Sequence, residues 1–135
     1  MKLGHVAVWT RQLETLKDFY VTYFGATHEA KYVNPRTLFE SYFLKFPDGD
    51  ATLELMTMPS VQARPDGGAT KLAGLTHLAF DVATPDEVDE MARRLQQAGI
   101  EFESMARKTG DGYYECAVRD PDHNIVEITC VLKSA

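Results

Sequence analysis

Two histidines and two glutamates recur in this chain at matching places, and they are the first candidates for chemistry. His5 sits in Leu3-Gly4-His5-Val6-Ala7-Val8 and Glu54 in Thr52-Leu53-Glu54-Leu55-Met56. His77 sits in Leu75-Thr76-His77-Leu78-Ala79-Phe80 and Glu127 in Ile125-Val126-Glu127-Ile128-Thr129. The members of the two pairs lie 49 (54 − 5) and 50 (127 − 77) residues apart. Each residue falls in a short apolar stretch that reads as a strand. An ionised carboxylate is costly to bury without a partner, and two are worse. A divalent cation held by two neutral imidazoles and two carboxylates offsets that cost. A lone strand histidine is usually a hydrogen-bonded structural residue, so it is the repetition of the pair that points to a metal. The donor set is nitrogen and oxygen only, not a thiolate site, and suits Zn²⁺, Ni²⁺, Mn²⁺, Fe²⁺ or Co²⁺. Water or substrate oxygens would complete an octahedron.

Strand alternation puts the four on a common kind of face. Val126, Ile128 and Cys130 share one side of the last strand, and Ile125, Glu127 and Thr129 the other. In the first half Leu53 and Leu55 oppose Thr52, Glu54 and Met56. His5, Ala7 and Trp9 share a side, as do His77, Ala79 and Asp81. The apolar sides are expected to pack on helices. If the sheets curl, the four polar residues converge on a concave surface.

The elements that must hold these strands follow from period and punctuation. Residues 3–9 read as a strand. Leu13, Leu16, Phe19, Tyr20, Tyr23 and Phe24 recur at helical spacing, and Gly25 is a helix stop. Residues 27–33, 39–46 and 51–57 read as strands, with Asn34-Pro35-Arg36 a loop and Pro47-Asp48-Gly49-Asp50 a turn. Residues 59–74 lose periodicity and read as a linker and candidate flap. The second half replays the first. Residues 75–82 form a strand, and Thr84-Pro85-Asp86-Glu87 opens a helix with an N-cap, a proline in its first turn and a capping box. Val88, Met91, Ala92, Leu95 and Ala98 are its expected stripe, and Gly99 its end. Strands follow at 100–104, 113–119 and 125–131, with 105–112 a loop expected, like 59–74, to cover the site. Each half is therefore strand, helix, strand, strand, strand: an α+β pattern in two modules, 1–58 and 75–135, joined by the linker 59–74 within one domain spanning 1–135. A repeated unit of this size cannot bury its sheet alone.

Composition narrows the function classes. The chain has 135 residues, 44% of them apolar, which fits a folded domain. Fourteen basic against twenty acidic residues give a net charge of −6, which disfavours nucleic acid as a partner. No apolar run approaches the roughly 20 residues that cross a bilayer, and the start shows no signal-peptide pattern, so the expectation is a cytoplasmic protein with no membrane partner. Cys116 and Cys130 lack metal or redox spacing and read as buried free thiols. His28 and His123 read as solvated. Arg36, Arg107 and Lys108 are candidates for an anionic substrate, though each is more often plain surface. Trp9, Tyr42, Tyr113 and Tyr114 could line a pocket, although strand aromatics are more often core.

The segments carrying His5, Glu54, His77 and Glu127, together with Asp120-Pro121-Asp122 before the last strand, resemble the vicinal-oxygen-chelate superfamily. This group includes glyoxalase I, extradiol dioxygenases, fosfomycin-resistance proteins, methylmalonyl-CoA epimerase and bleomycin-binding proteins. The resemblance covers nearly the whole chain. It implies an α+β fold of two βαβββ modules whose curved sheets surround a metal cup, with the helices on the outer face. The order His, Glu, His, Glu is that of glyoxalase I; epimerases typically carry glutamine where Glu54 stands, and fosfomycin enzymes threonine where Ala7 stands. Trp9 occupies a position where glyoxalase I commonly has an arginine for the glutathione carboxylate, so the thiol carrier is left open. The resemblance implies a divalent-metal-dependent lyase or isomerase acting on a small-molecule substrate, for instance a hemithioacetal of methylglyoxal, with Glu127 as the base and Glu54 as its partner, in a homodimer. The alternatives are a binding or sequestering protein of the same fold and a thioester epimerase.

Overall fold

The computed structural model describes residues 1–132. The chain divides into two compact units, Met1–Gly67 and the segment from Gly68 onward. The division falls inside the stretch where sequence periodicity is lost.

In the first unit β1 (His5–Trp9) leads to α1 (Leu13–Phe24). Strands β2 (Thr27–His28), β3 (Tyr32–Asn34), β4 (Phe39–Lys45) and β5 (Thr52–Thr57) follow. The sheet runs β1-β5-β4-β2, with β3 also on β4. β1 and β5 are parallel and β4 and β5 antiparallel. The apolar stripe of α1 buries Leu13, Leu16, Phe19 and Tyr20, and the sheet residues Leu44, Leu53 and Leu55 are buried with it. Gly25 ends the helix at φ +66°, and its N–H reaches the carbonyl of Tyr20. A left-handed residue is needed there, and glycine adopts it without a Cβ clash.

The strand expected at 27–33 is broken in two. Thr27 and His28 pair with Lys45 and Leu44, and Tyr32 pairs with Ser41. Three residues, 29–31, therefore face two, 42 and 43. One extra residue makes a bulge that bends the strand, which alternation alone does not reveal.

The second unit repeats the plan with β6 (His77–Asp81), α2 (Pro85–Gln97), β7 (Phe102–Lys108), β8 (Tyr113–Arg119) and β9 (Ile125–Val131), in the order β6-β9-β8-β7. The capping box forms as expected. Thr84 Oγ1 accepts from the Glu87 N–H at 3.3 Å, and Glu87 Oε2 accepts from the Thr84 N–H at 3.3 Å. Such a cap is worth about 1 kcal/mol. Val88, Ala92 and Leu95 are buried, as are Cys116, Val118, Val126, Ile128 and Cys130 of the sheet. Met91 is half-buried and Ala98 exposed, so the stripe is narrower than its spacing suggested.

β7 extends to Lys108, well past the expected strand, and the expected loop 105–112 shrinks to the turn 109–112. The register between β7 and β8 shifts between Phe102 and Ser104 and again between Ser104 and Arg107. Those irregularities break the two-residue period from which the strand would be read. Among the described residues no helix is long and apolar enough to cross a membrane.

Candidate metal centre

In the first unit His5 opens β1 and Glu54 lies in the middle of β5. The parallel register sets His5 beside Thr52 and Ala7 beside Glu54, so His5 and Glu54 share a sheet face on a diagonal. His5 Nε2 lies 3.9 Å from Glu54 Oε2. The Glu54 side chain is only 14% exposed, while that of His5 is 53% exposed. Across the sheet Phe43 pairs with Glu54, and its ring meets His5 edge-on with centroids 5.6 Å apart. The opposite face carries Leu53 and Leu55 toward α1, so Glu54 is kept out of the helix-packed core by alternation alone.

The second unit builds the same diagonal. His77 pairs with Ile125 and Ala79 with Glu127. The ladder after the pair also matches: the Thr10 N–H bonds the Met56 carbonyl at 2.8 Å, and the Val82 N–H bonds the Thr129 carbonyl at 2.9 Å. The one-residue difference in sequence spacing is therefore absorbed outside the paired strands. His77 Nε2 lies 3.2 Å from Glu127 Oε2. His77 Nδ1 sits 3.2 Å from the Thr76 hydroxyl. A proton on Nδ1 donated to that hydroxyl leaves Nε2 with its lone pair toward Glu127, which is the tautomer a metal ligand needs. Burial pushes the Glu127 carboxyl above its ordinary value; His77 opposes this, Glu115 adds to it and Arg107 opposes it.

The donor chemistry of each pair, one imidazole and one carboxylate, is of the kind a divalent ion takes. Cis ligands bound at about 2.1 Å lie about 3 Å apart, which the 3.2 Å of His77 and Glu127 nearly matches. The 3.9 Å of His5 and Glu54 is wider, and the exposed His5 ring has room to turn. The structure thus brings His5 to Glu54 and His77 to Glu127. Among the described residues no group of three or more such donors lies close enough to hold an ion.

The remaining sequence candidates sort by face. Tyr42 pairs with Leu55 and is buried toward α1, where its hydroxyl donates to Glu14 at 3.1 and 3.2 Å. Tyr114 does the same toward α2, donating to Asp89 at 2.7 Å. Both leave the pocket-lining set because they stand on the helix-packed face. Lys108 pairs with Tyr114 and shares that side, whereas Arg107 pairs with Glu115 on the side of Glu127. Arg36 lies exposed in the turn between β3 and β4. Trp9 and Tyr113 stand on the faces of Glu54 and Glu127 respectively. His28 is exposed, with Nδ1 2.8 Å from the Glu29 carbonyl and its ring against Tyr42; His123 is exposed in a turn.

Three neighbours escaped the sequence reading. Glu115 is another carboxylate on the Glu127 face, 14% exposed and 3.5 Å from Arg107. Alternation groups Glu115 with Ala117, but only the pairing of Ala117 with Glu127 shows that their side is the Glu127 face. Thr76 could have been noticed as a hydroxyl beside a ligand candidate. Phe43 carries no such signal, because its place beside Glu54 depends on the register of β4.

No curated protein matches the chain in sequence. Solved structures do. A glyoxalase family protein from Enterococcus faecalis is 29% identical, with TM-score 0.75 over 95% of this chain and 96% of that one. A lactoylglutathione lyase from Agrobacterium tumefaciens is 26% identical, with TM-score 0.69 over 96% and 92%. The fosfomycin resistance protein FosX from Listeria monocytogenes, solved with Mn(II) and 1S,2S-dihydroxypropylphosphonic acid, shares the fold at 20% identity and TM-score 0.70 over 94% and 90%. A family profile matches residues 2–128. With two modules of one plan, each ending in a histidine–glutamate diagonal, the chain belongs to the Glyoxalase/Bleomycin resistance protein/Dioxygenase superfamily.

Proposed function

We propose that this chain is a metal-dependent lyase or isomerase of the glyoxalase I type, with His5, Glu54, His77 and Glu127 as ligands of a divalent ion. The similarity to a lactoylglutathione lyase supports this reading, and so does the repeated His–Glu diagonal. When bound, the ion would act as a Lewis acid on a substrate carbonyl. Glu127 takes the proton from the carbon beside that carbonyl and delivers it to the carbonyl carbon. For a hemithioacetal of a 2-oxoaldehyde the hydroxyl proton of the first carbon also passes to the former carbonyl oxygen, which yields a 2-hydroxy thioester: the first carbon is oxidised, its neighbour is reduced, and no other reactant is consumed.

The observation that carries the base assignment is local. Glu127 is flanked across the sheet by Ala79 and Ala117, which leave space for a carboxylate to swing and for a substrate to approach. Glu54 is flanked by Ala7 and by the bulkier Phe43, whose ring stands against His5. Partial burial also makes Glu127 more basic than a carboxylate in water, as a proton acceptor requires. Glu54 is its partner and a fixed ligand. The protein acts as a homodimer in the cytoplasm under this reading.

The test is metal analysis of protein purified without chelator, followed by an isomerase assay on the methylglyoxal hemithioacetals of several thiols. Glu127→Gln should lower kcat by a factor of about 100 or more. Full activity in that variant refutes the base. Protein that takes up no divalent ion refutes the centre, and tight binding of the hemithioacetal without turnover would make the chain a sequestering protein.

A further inference from the structure

The face that carries His5 and Glu54 continues into a row of aromatic rings. Trp9 pairs with Met56, and Met56 with Ser41, so Trp9 lies on the Glu54 face. Phe39 is two residues from Ser41 on β4, and Tyr32 pairs with Ser41 from β3, so both share that face. The Trp9 and Phe39 rings meet at 90° with centroids 6.1 Å apart, and Phe39 and Tyr32 at 56° with the same separation. Edge-to-face contacts hold the rings at set angles. Yet Trp9 remains 50% exposed and Tyr32 56% exposed. Trp9 stands two residues along β1 from Ala7, the partner of Glu54, which places it about 7 Å along the strand from the candidate centre.

We propose that Trp9, Phe39 and Tyr32 form a substrate subsite for a planar, uncharged aryl group attached to the atoms that reach the metal, an inference that rests on the metal-dependent reading above. Three features argue for that occupant. The row is continuous with the donor pair on one sheet face of one unit. Its ring residues and the Ser41 and Met56 between them carry no formal charge, so the row offers no ion-pair partner to an anion or a cation. The rings are set by contacts with one another, so ordering them costs a ligand little. The chain therefore favours a substrate whose reacting oxygens carry an aryl substituent over one with a small alkyl substituent.

Benzohydroxamate and acetohydroxamate separate the two contributions. Both chelate a divalent ion through vicinal oxygens, and only the first carries a ring. Calorimetric titration of the metal-loaded protein should give benzohydroxamate an affinity about tenfold higher, after correction for the same ratio with the free ion. Trp9 is the chain's single tryptophan, so its emission reports directly on the subsite. Benzohydroxamate should quench that emission and acetohydroxamate should not. Trp9→Leu, which keeps apolar bulk without the indole, should bring the affinity ratio near one. Equal affinities in the unaltered protein, with Trp9 emission unchanged, overturn the subsite while the metal centre stands. Binding of neither hydroxamate overturns the centre and the subsite together. Trp9 emission that follows protein concentration rather than ligand makes the row a self-association face and also overturns it.

Discussion

Glu54 and Glu127 occupy the same register position in their units, yet their surroundings give them different chemistry. Alanine on both sides of Glu127 leaves it room, and Phe43 beside Glu54 does not. The histidines differ in the same way. His77 has a hydroxyl from Thr76 at Nδ1, while the residue before His5 is Gly4, which has no side chain to offer. Removing a partner that orients a metal-binding imidazole commonly costs roughly 10–100-fold in affinity. Thr76→Val should therefore weaken metal binding by about tenfold or more in a competition titration with a chromogenic chelator, with the far-ultraviolet dichroism unchanged. Undiminished affinity would mean that Thr76 does not orient the ring. At this scale the four candidate ligands, which the structure brings together in two pairs, were legible because charged and imidazole side chains inside apolar strands stand out. Glu115 was hidden because a glutamate among Tyr113, Tyr114 and Arg119 looks like ordinary surface until pairing puts it on the Glu127 face.

Each sheet is tied to its helix by a tyrosine on the middle antiparallel strand, through Tyr42 to Glu14 and through Tyr114 to Asp89. Glu14 also accepts from Lys17 and Lys31. The hydrogen bond from Lys17 is the main cause that holds its carboxyl below the ordinary value, with Lys31 and Tyr42 adding to it against burial. A carboxyl lowered in the folded state adds stability above its unfolded value and loses it as the pH falls through the folded one. Glu14→Gln should thus lower stability near neutral pH, and the difference from the unaltered chain should vanish in acid below the ordinary carboxylate range. Half the Glu14 side chain is exposed, so screening holds the effect to roughly 0.5–1 kcal/mol. Chemical unfolding at two pH values checks this; a difference that grows in acid would contradict it. Both helices were readable from spacing, and α2 also from its cap. The break between β2 and β3 and the far half of β7 were not, because bulges shift the alternation that marks a strand.

At the scale of the molecule, the repeat was legible as two passes through one order of elements, and the paired strands confirm it with matching ladders. The chemistry of the whole is less evenly shared than the architecture. Aromatic rings gather around the first donor pair, and charged side chains, Glu115 and Arg107, around the second. The two cysteines are also distributed unevenly, and that has a practical consequence. Cys116 and Cys130 both lie in the second unit, under α2, and are 0% and 2% exposed. Burial pushes the Cys116 thiol up to about 11, so almost none of it is the reactive thiolate at neutral pH. A maleimide should leave the native protein nearly untouched and react as β8 and β9 part from the helix, at a rate set by how often they do so. Reaction at the speed of free cysteine in native buffer would show that this packing is wrong. Because the first unit holds no cysteine, the labelling rate is a clock for the opening of one half of a duplicated protein, with the other half silent.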